Sequence, residues 1–399
     1  MTYISHHASC RYILILFALL VLPRFSAFGG EITVGAARTS VYTPLLKGKR
    51  VALLSNHTGM VGSRHTLDVM LDNGIDVVTL FSPEHGFRGT ADAGEHVKSG
   101  VDEATGIPIA SMYTGTAKGI APEVIGGIDV IAVDLQDVGT RFYTYYITMI
   151  KVMEEAAAAG KKVVVLDRPN PLGMTVDGPV LDMKLRSGVG RLPVPVLHGM
   201  TLGEIAVMAN EEGWLRDGKK VDLAVVPCDG YTHASRYRLP VAPSPNLRDM
   251  TAVYLYPSLC FFEGTAASVG RGTGFPFKGY GHPRMKPRGF TFTPRSVAGA
   301  KNPPLLNRKC NGVDLRDADH DALIAGGVDL SYVIDAYRSM PDEAKPKFFT
   351  AFFDKLIGNA KVRRMILDGA PADSIKASWR DEVERFKTLR AKYLLYPES

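Results

Sequence analysis

The sequence predicts an α/β fold: a mostly parallel sheet with helices on both faces, followed by a smaller C-terminal α/β domain. Three observations carry the prediction. From residue 49 to about 226 one pattern recurs, a short β-rich apolar run, then a polar cluster with Gly or Pro, then a longer stretch of helical spacing. The runs are apolar throughout instead of at alternate positions, as in parallel strands covered on both faces. The 399 residues are 46% hydrophobic and 22% charged, with 40 Gly and 25 Pro. That gives core and turns for two or three compact units and excludes a disordered chain or a coiled coil.

The first stretch of chain stands outside this pattern. Arg11 precedes the apolar run Tyr12–Leu22, and Ala27, Phe28 and Gly29 follow as a small-x-small cleavage site. Residues 1–29 therefore read as a secretory signal peptide, which places the mature chain in the periplasm or outside the cell. The run is too short to span a bilayer and Cys10 lies before it, so no stable membrane anchor is expected.

The strands are then expected at Arg50–Leu54, Asp76–Phe81, Ile128–Val133, Lys162–Leu166, Pro193–Leu197 and Leu223–Val226. Helical spacing marks His65–Asp72, Tyr145–Ala159 and Leu202–Glu212, the last with Thr201 and Glu204 spaced as a capping box. Near Pro243-Ser244-Pro245-Asn246 the pattern changes. Residues 254–289 are rich in Gly, Pro and aromatics, and helical segments recur at Leu330–Arg338, Lys345–Leu356 and about Ser378–Tyr393. The boundaries are thus 31–250 for the first domain and 251–399 for the second.

The chain carries 47 basic against 41 acidic side chains, a net +6, and loss of the leader with Arg11 and Arg24 leaves +4. Spread over about 370 residues this is no nucleic-acid footprint, although it suits an anionic substrate. Without Cys10 the cysteines are Cys228, Cys260 and Cys310, which allow at most one bridge. No G-x-G-x-x-G follows a strand and no phosphate-binding loop occurs; Gly270-Arg271-Gly272-Thr273-Gly274 lies outside any strand-to-helix turn, so no cofactor is expected. His57, His85, His96 and His198 lack metal-ligand spacing, so no metal is expected either. There is no G-x-S-x-G elbow, and Cys228 and Cys260 sit among apolar residues, which argues against a Ser or Cys nucleophile.

Each strand is followed by chemically loaded residues: 55–59, 82–86, 134–137, 167–170 and 198–201. The carboxyl ends of parallel strands lie along one sheet edge, so these clusters should converge on one crevice. Loops and caps alone need Gly, Ser and Asn, not this many Glu, Asp, His and Arg. Glu84 follows a strand and Pro83, with His85 and Arg88 beside it, the setting of a general acid. Asp134, Asp137 and Glu263 are the further candidate carboxylates, and two carboxyl groups across a glycosidic oxygen are the usual equipment of glycoside hydrolysis. Arg141 and Arg168 supply donors for an acid group, and Tyr143 and Tyr145 supply faces for a sugar ring, although aromatics at helical spacing also serve as core.

The strings Ser55–Gly59, Ser82–Gly89, Asp134–Tyr145, Asp167–Pro171, Pro243–Asn246, Phe262–Thr265 and Val269–Gly272 resemble the NamZ-type exo-β-N-acetylmuramidases, in the same order and over essentially the whole mature chain. The resemblance implies a Rossmann-like catalytic domain with a C-terminal auxiliary domain, and removal of non-reducing terminal N-acetylmuramic acid from peptidoglycan-derived muramyl saccharides. It maps the family's catalytic glutamate onto Glu84. The candidate substrate-binding set is then Asn56, His85, Arg88, Arg141, Tyr143, Tyr145, Arg168, Asn170, His198, Asn246 and Arg271, with Arg141 or Arg168, or both, expected to pair with the sugar's lactyl carboxylate. The competing class is a protein that binds such fragments without cutting them.

Overall fold

Strands apolar at every position imply two cores, and the computed structural model, which describes residues 31–84, 86–87, 99–112 and 119–399, shows both. In β1 (Arg50–Ser55), Ala52 and Leu54 enter the core on one face while Val51 and Leu53 enter that on the other. The same alternation sorts Ile131 and Val133 from Val130 and Ala132, and Val163 and Val165 from Val164 and Leu166. The leader expected over residues 1–29 lies outside the described residues.

A small hairpin, β2 (Met60–Val61) and β3 (Arg64–His65), follows β1, and then come β4 (Asp76–Ser82), β5 (Gly100–Val101), β6 (Pro108–Ser111), β7 (Val130–Asp134), β8 (Lys162–Leu166) and β9 (Asp222–Val226). The main sheet runs β5-β6-β4-β1-β7-β8-β9, parallel at every pairing but β5 with β6. Numbered as they occur, its parallel strands stand in the doubly wound order 3-2-1-4-5-6, which reverses direction between β1 and β7. Leu54, Phe81, Val133 and Leu166 lie in this one sheet, as the converging crevice requires.

Helices α1 (Thr39–Leu46) and α2 (Thr66–Asp72) cover one face through Tyr42, Leu46, Leu67 and Met70. After the short α3 (Pro122–Gly126), α4 (Tyr145–Ala159) and α5 (Leu202–Glu211) cover the other, α5 with both bonds of the Thr201–Glu204 capping box. Beyond α6 (Met250–Leu259), β10 (Gly279–His282), β11 (Phe290–Phe292) and β12 (Cys310–Asp314) form an antiparallel sheet in the order β10-β12-β11. Helices α7 (His320–Gly326), α8 (Ser331–Ser339), α9 (Ala351–Ile357), α10 (Ala360–Leu367), α11 (Ala372–Ala377) and α12 (Arg380–Arg390) complete the chain.

Two expectations need correction. Pro193–Leu197 is no strand of the sheet: Pro193 and Pro195 cannot donate, and Val194 and Val196 instead offer their carbonyls to Leu181 and Arg141. The helix expected from Lys345 starts only at Ala351, where Thr350 caps it; Pro346 sits in a preceding 3₁₀ turn over residues 342–347.

Residues 32–399 form one compact unit. The core on the α4–α5 face is shared: Phe142, Leu197 and Ile205 belong to one cluster with Phe261, Phe353 and Trp379. The three described cysteines are free and buried.

Candidate active site

The order reversal between β1 and β7 leaves a crevice at the carboxyl ends of the strands, the usual ligand position in open α/β sheets. A cavity of about 950 Å³ holds Glu84, Phe142, Tyr143, Thr144 and Tyr145 from that edge. Its remaining wall comes from Gly188, Val189, Ser244, Leu247, Tyr256, Glu263, Arg271, Phe277, Phe352 and residues 299–304.

Glu84 reaches this wall because Pro83 ends β4 and the Gly86 amide closes a tight turn onto the Pro83 carbonyl at 3.1 Å. The half-buried Glu84 carboxylate accepts from the Thr144 hydroxyl at 2.5 Å. Tyr143 and Tyr145 both donate to the Pro243 carbonyl, at 2.7 and 3.3 Å, and meet edge to face with their centroids 4.7 Å apart. Burial holds both phenols above their ordinary titration range, so they remain neutral donors with apolar faces. Glu263 sits opposite in sequence, at the end of the 3₁₀ turn that follows α6, and its Oε1 accepts from Arg271 Nε at 2.6 Å.

Of the other candidates, the structure spends several on the fold. Arg141 is fully buried and gives its Nη atoms to the carbonyls of Pro179, Val194, Leu356 and Ile357, at 2.7 to 3.0 Å. It ties the segment after β7 to the end of α9, and its one remaining donor, Nε, is buried without a partner, which corrects its expected place in the sugar site. Arg168 is turned onto the protein as well: it grips both oxygens of Asp134 through Nε and Nη2, at 2.6 and 3.0 Å, and Nη2 reaches the Met60 carbonyl at 3.0 Å. Both partners are almost wholly buried, so Asp134 is a structural counter-ion and not a carboxylate facing substrate.

Asp137 is buried and does not line the cavity. Its Oδ1 accepts from the Gly139 amide at 2.7 Å, its Oδ2 has no partner, and burial pushes its carboxyl up to about 7. Asn170 bridges the Leu172 amide and the Met200 carbonyl, closing the loop after β8. His198 accepts from the Met200 amide, and burial, aided by Arg390 and Arg141, holds its imidazole down at about 3, so it is neutral. Asn56 folds onto the Thr58 amide and hydroxyl and stands beside Tyr145, behind the wall. Asn246 donates to the Gly299 carbonyl at 2.8 Å and so anchors the cavity segment 299–304 without lining it. His85 and Arg88 lie outside the described residues.

The cavity thus brings together Glu84, Tyr143, Tyr145, Glu263 and Arg271. Sequence reasoning missed Thr144, which sits inside a motif noted for other residues, and residues 299–304, whose Gly, Ala, Lys, Asn and Pro carry no local signal of a site.

Comparison with known proteins gives both family and structural matches. Residues 51–251 match the family described as "Exo-beta-N-acetylmuramidase NamZ, N-terminal" and residues 254–396 its C-terminal counterpart. The chain is 37% identical over 373 residues to the peptidoglycan beta-N-acetylmuramidase NamZ of Bacillus subtilis strain 168, covering 89% of each. Among solved structures it is similar to a DUF1343 family protein of Bacteroides fragilis, with 50% identity and TM-score 0.86 over 92% of this chain and all of that one. A second protein of the same organism and family follows at 27% identity and TM-score 0.75, over 92% of this chain and 99% of that one.

Proposed function

The chain belongs to the exo-β-N-acetylmuramidase NamZ family, and we infer that it is a glycosidase that releases non-reducing terminal N-acetylmuramic acid from peptidoglycan fragments. The observation that carries the reading is Glu84 in the wall of a cavity with aromatic faces, at the switch point of the sheet. A general acid must stand where the departing oxygen sits, and the Thr144 hydroxyl on its Oε2 fixes the carboxyl's orientation. The rings of Tyr143, Tyr145 and Tyr256 give the cavity wall apolar surface against which a sugar can pack.

Among the described residues Glu263 is the other carboxylate lining the cavity, and the second group is then either Glu263 or the sugar's own acetamido oxygen. Glu263→Gln separates them: a nucleophile's loss removes turnover, whereas acetamido assistance survives it. The leader read in the sequence supports export to the periplasm or beyond, and the N-terminal sequence of the protein recovered from its host tests that.

The deciding experiment pairs an aryl β-N-acetylmuramide with the corresponding glucosaminide and adds a natural disaccharide. Wild-type enzyme should cleave the muramides. Glu84→Gln keeps the size but has no acidic proton, so on the disaccharide it should lose roughly 10²–10⁴ in rate. The loss should be smaller on the aryl substrate, whose leaving group needs less protonation. Folded Glu84→Gln with wild-type rates on both would remove Glu84 from the mechanism.

A further inference from the structure

The segment 270–274 is a glycine-rich loop that binds no nucleotide phosphate by spacing, yet its backbone is built for a purpose. Gly270 and Gly272 both hold φ of +78°, and a Cβ on Gly272 would come within 2.4 Å of the Arg295 carbonyl. The Gly270 amide donates to Ser268 Oγ at 3.1 Å, and Thr273 Oγ1 donates back to the Gly270 carbonyl at 2.6 Å. The residue fixed between these two glycines is Arg271.

Its guanidinium is oriented twice more. Glu263 holds Nε at 2.6 Å, and the guanidinium carbon lies 4.9 Å from the centroid of Phe277. With only 16% of the side chain exposed, Arg271 still lines the cavity that contains Glu84. Among the described residues its Nη1 and Nη2 have no hydrogen-bond partner, in contrast to Arg141, whose two Nη atoms each make two bonds to protein carbonyls. A fork with its inner edge satisfied and its outer edge unbonded is matched by a planar acceptor with two oxygens.

Resting on the reading of the protein as a muramidase, we propose that Arg271 is the specificity residue that receives the lactyl carboxylate of N-acetylmuramic acid. Because Glu263 already balances its charge, selectivity comes from direction more than from net attraction. A carboxylate presents two acceptors to the two Nη edges, whereas a carboxamide turns an N–H₂ toward donors and a glucosaminide presents nothing.

The test compares kcat/KM for an aryl β-N-acetylmuramide with that for its lactyl carboxamide, which has the same shape and no charge. Wild type should favour the carboxylate by roughly 10- to 100-fold, the worth of a charge-assisted pair. Arg271→Gln should bring this ratio close to one, and Arg271→Lys, which keeps the charge and loses the fork, should leave an intermediate ratio. An unchanged ratio in a folded Arg271→Gln or Arg271→Lys protein overturns the proposal, as does a wild type indifferent to the amide. Calorimetric binding of free N-acetylmuramate and its carboxamide to the whole protein gives the same ratio without turnover. A protein that binds with this selectivity and cleaves nothing would therefore sink the hydrolase reading while upholding the role of Arg271.

Discussion

Asp137 shows how a residue type can promise one chemistry and deliver another. Its sequence position, just past an apolar strand, resembles that of Glu84, but its side chain turns inward to the Gly139 amide. Burial raises its carboxyl from an ordinary value of about 4 to about 7, so the folded protein holds a proton there that the unfolded chain releases. Stability from this group is fully present below pH about 4 and declines as pH rises toward about 7, at roughly 1.4 kcal/mol per unit. Asp167, raised to about 6 by burial, has the same sign. Asp137→Asn mimics the protonated acid, so its urea midpoint should fall less than that of wild type between pH 4 and 7, with the Asp167 contribution remaining. Parallel pH profiles for the two proteins would show that Asp137 is not the group that titrates. The pair Arg168–Asp134 and the clamp of Arg141 were invisible in the sequence for a related reason: each is defined by partners far along the chain, such as Leu356 and Ile357 for Arg141.

Elements whose signal is local were legible. α4 occupies the expected residues 145–159, and the strands match within two residues at each end because uninterrupted apolar runs can satisfy two cores only in a buried sheet. The misread elements are those decided by proline: Pro193 and Pro195 exclude Pro193–Leu197 from the ladder, and the stretch from Lys345 enters as a 3₁₀ turn. The end of α9 shows how such an element joins the rest. Gly358 holds φ +74° as its C-cap, and a Cβ there would stand 2.4 Å from Arg141 Nη2, the group that binds the last α9 carbonyls. Gly358→Ala combines a strained backbone with displacement of that guanidinium. It should cost about 1–3 kcal/mol, more than a left-handed alanine alone, and urea denaturation of the purified variant measures it. A change below about 0.5 kcal/mol would mean that the Arg141 clamp yields freely.

For the molecule as a whole, the sequence indicated two regions but not how they are held together. The family matches also meet between residues 251 and 254, while the core crosses that boundary. The chain end provides the most distant of these ties. Tyr396 donates to Asp167 Oδ2 at 2.6 Å and accepts from the Cys228 amide at 2.9 Å; the Leu395 amide reaches Glu204 Oε1 at 2.8 Å, and the Pro397 carbonyl accepts from the His233 amide. Asp167 and Glu204 stand at the ends of β8 and α5's first turn, on the sheet that carries the crevice. Removing residues 394–399 would take one donor from each of these two buried carboxylates, leaving Thr201 and Gly203 on Asp167 and His233 and the Thr201 amide on Glu204, and each lost bond to a charged group is worth about 1.5–3 kcal/mol. The shortened protein should therefore lose several kcal/mol, about 3 at least. Because the common core still binds both regions, near-ultraviolet and far-ultraviolet signals should fall together in urea. Two separated transitions, one for each region, would show that the regions are independent domains and that the common core does not couple them.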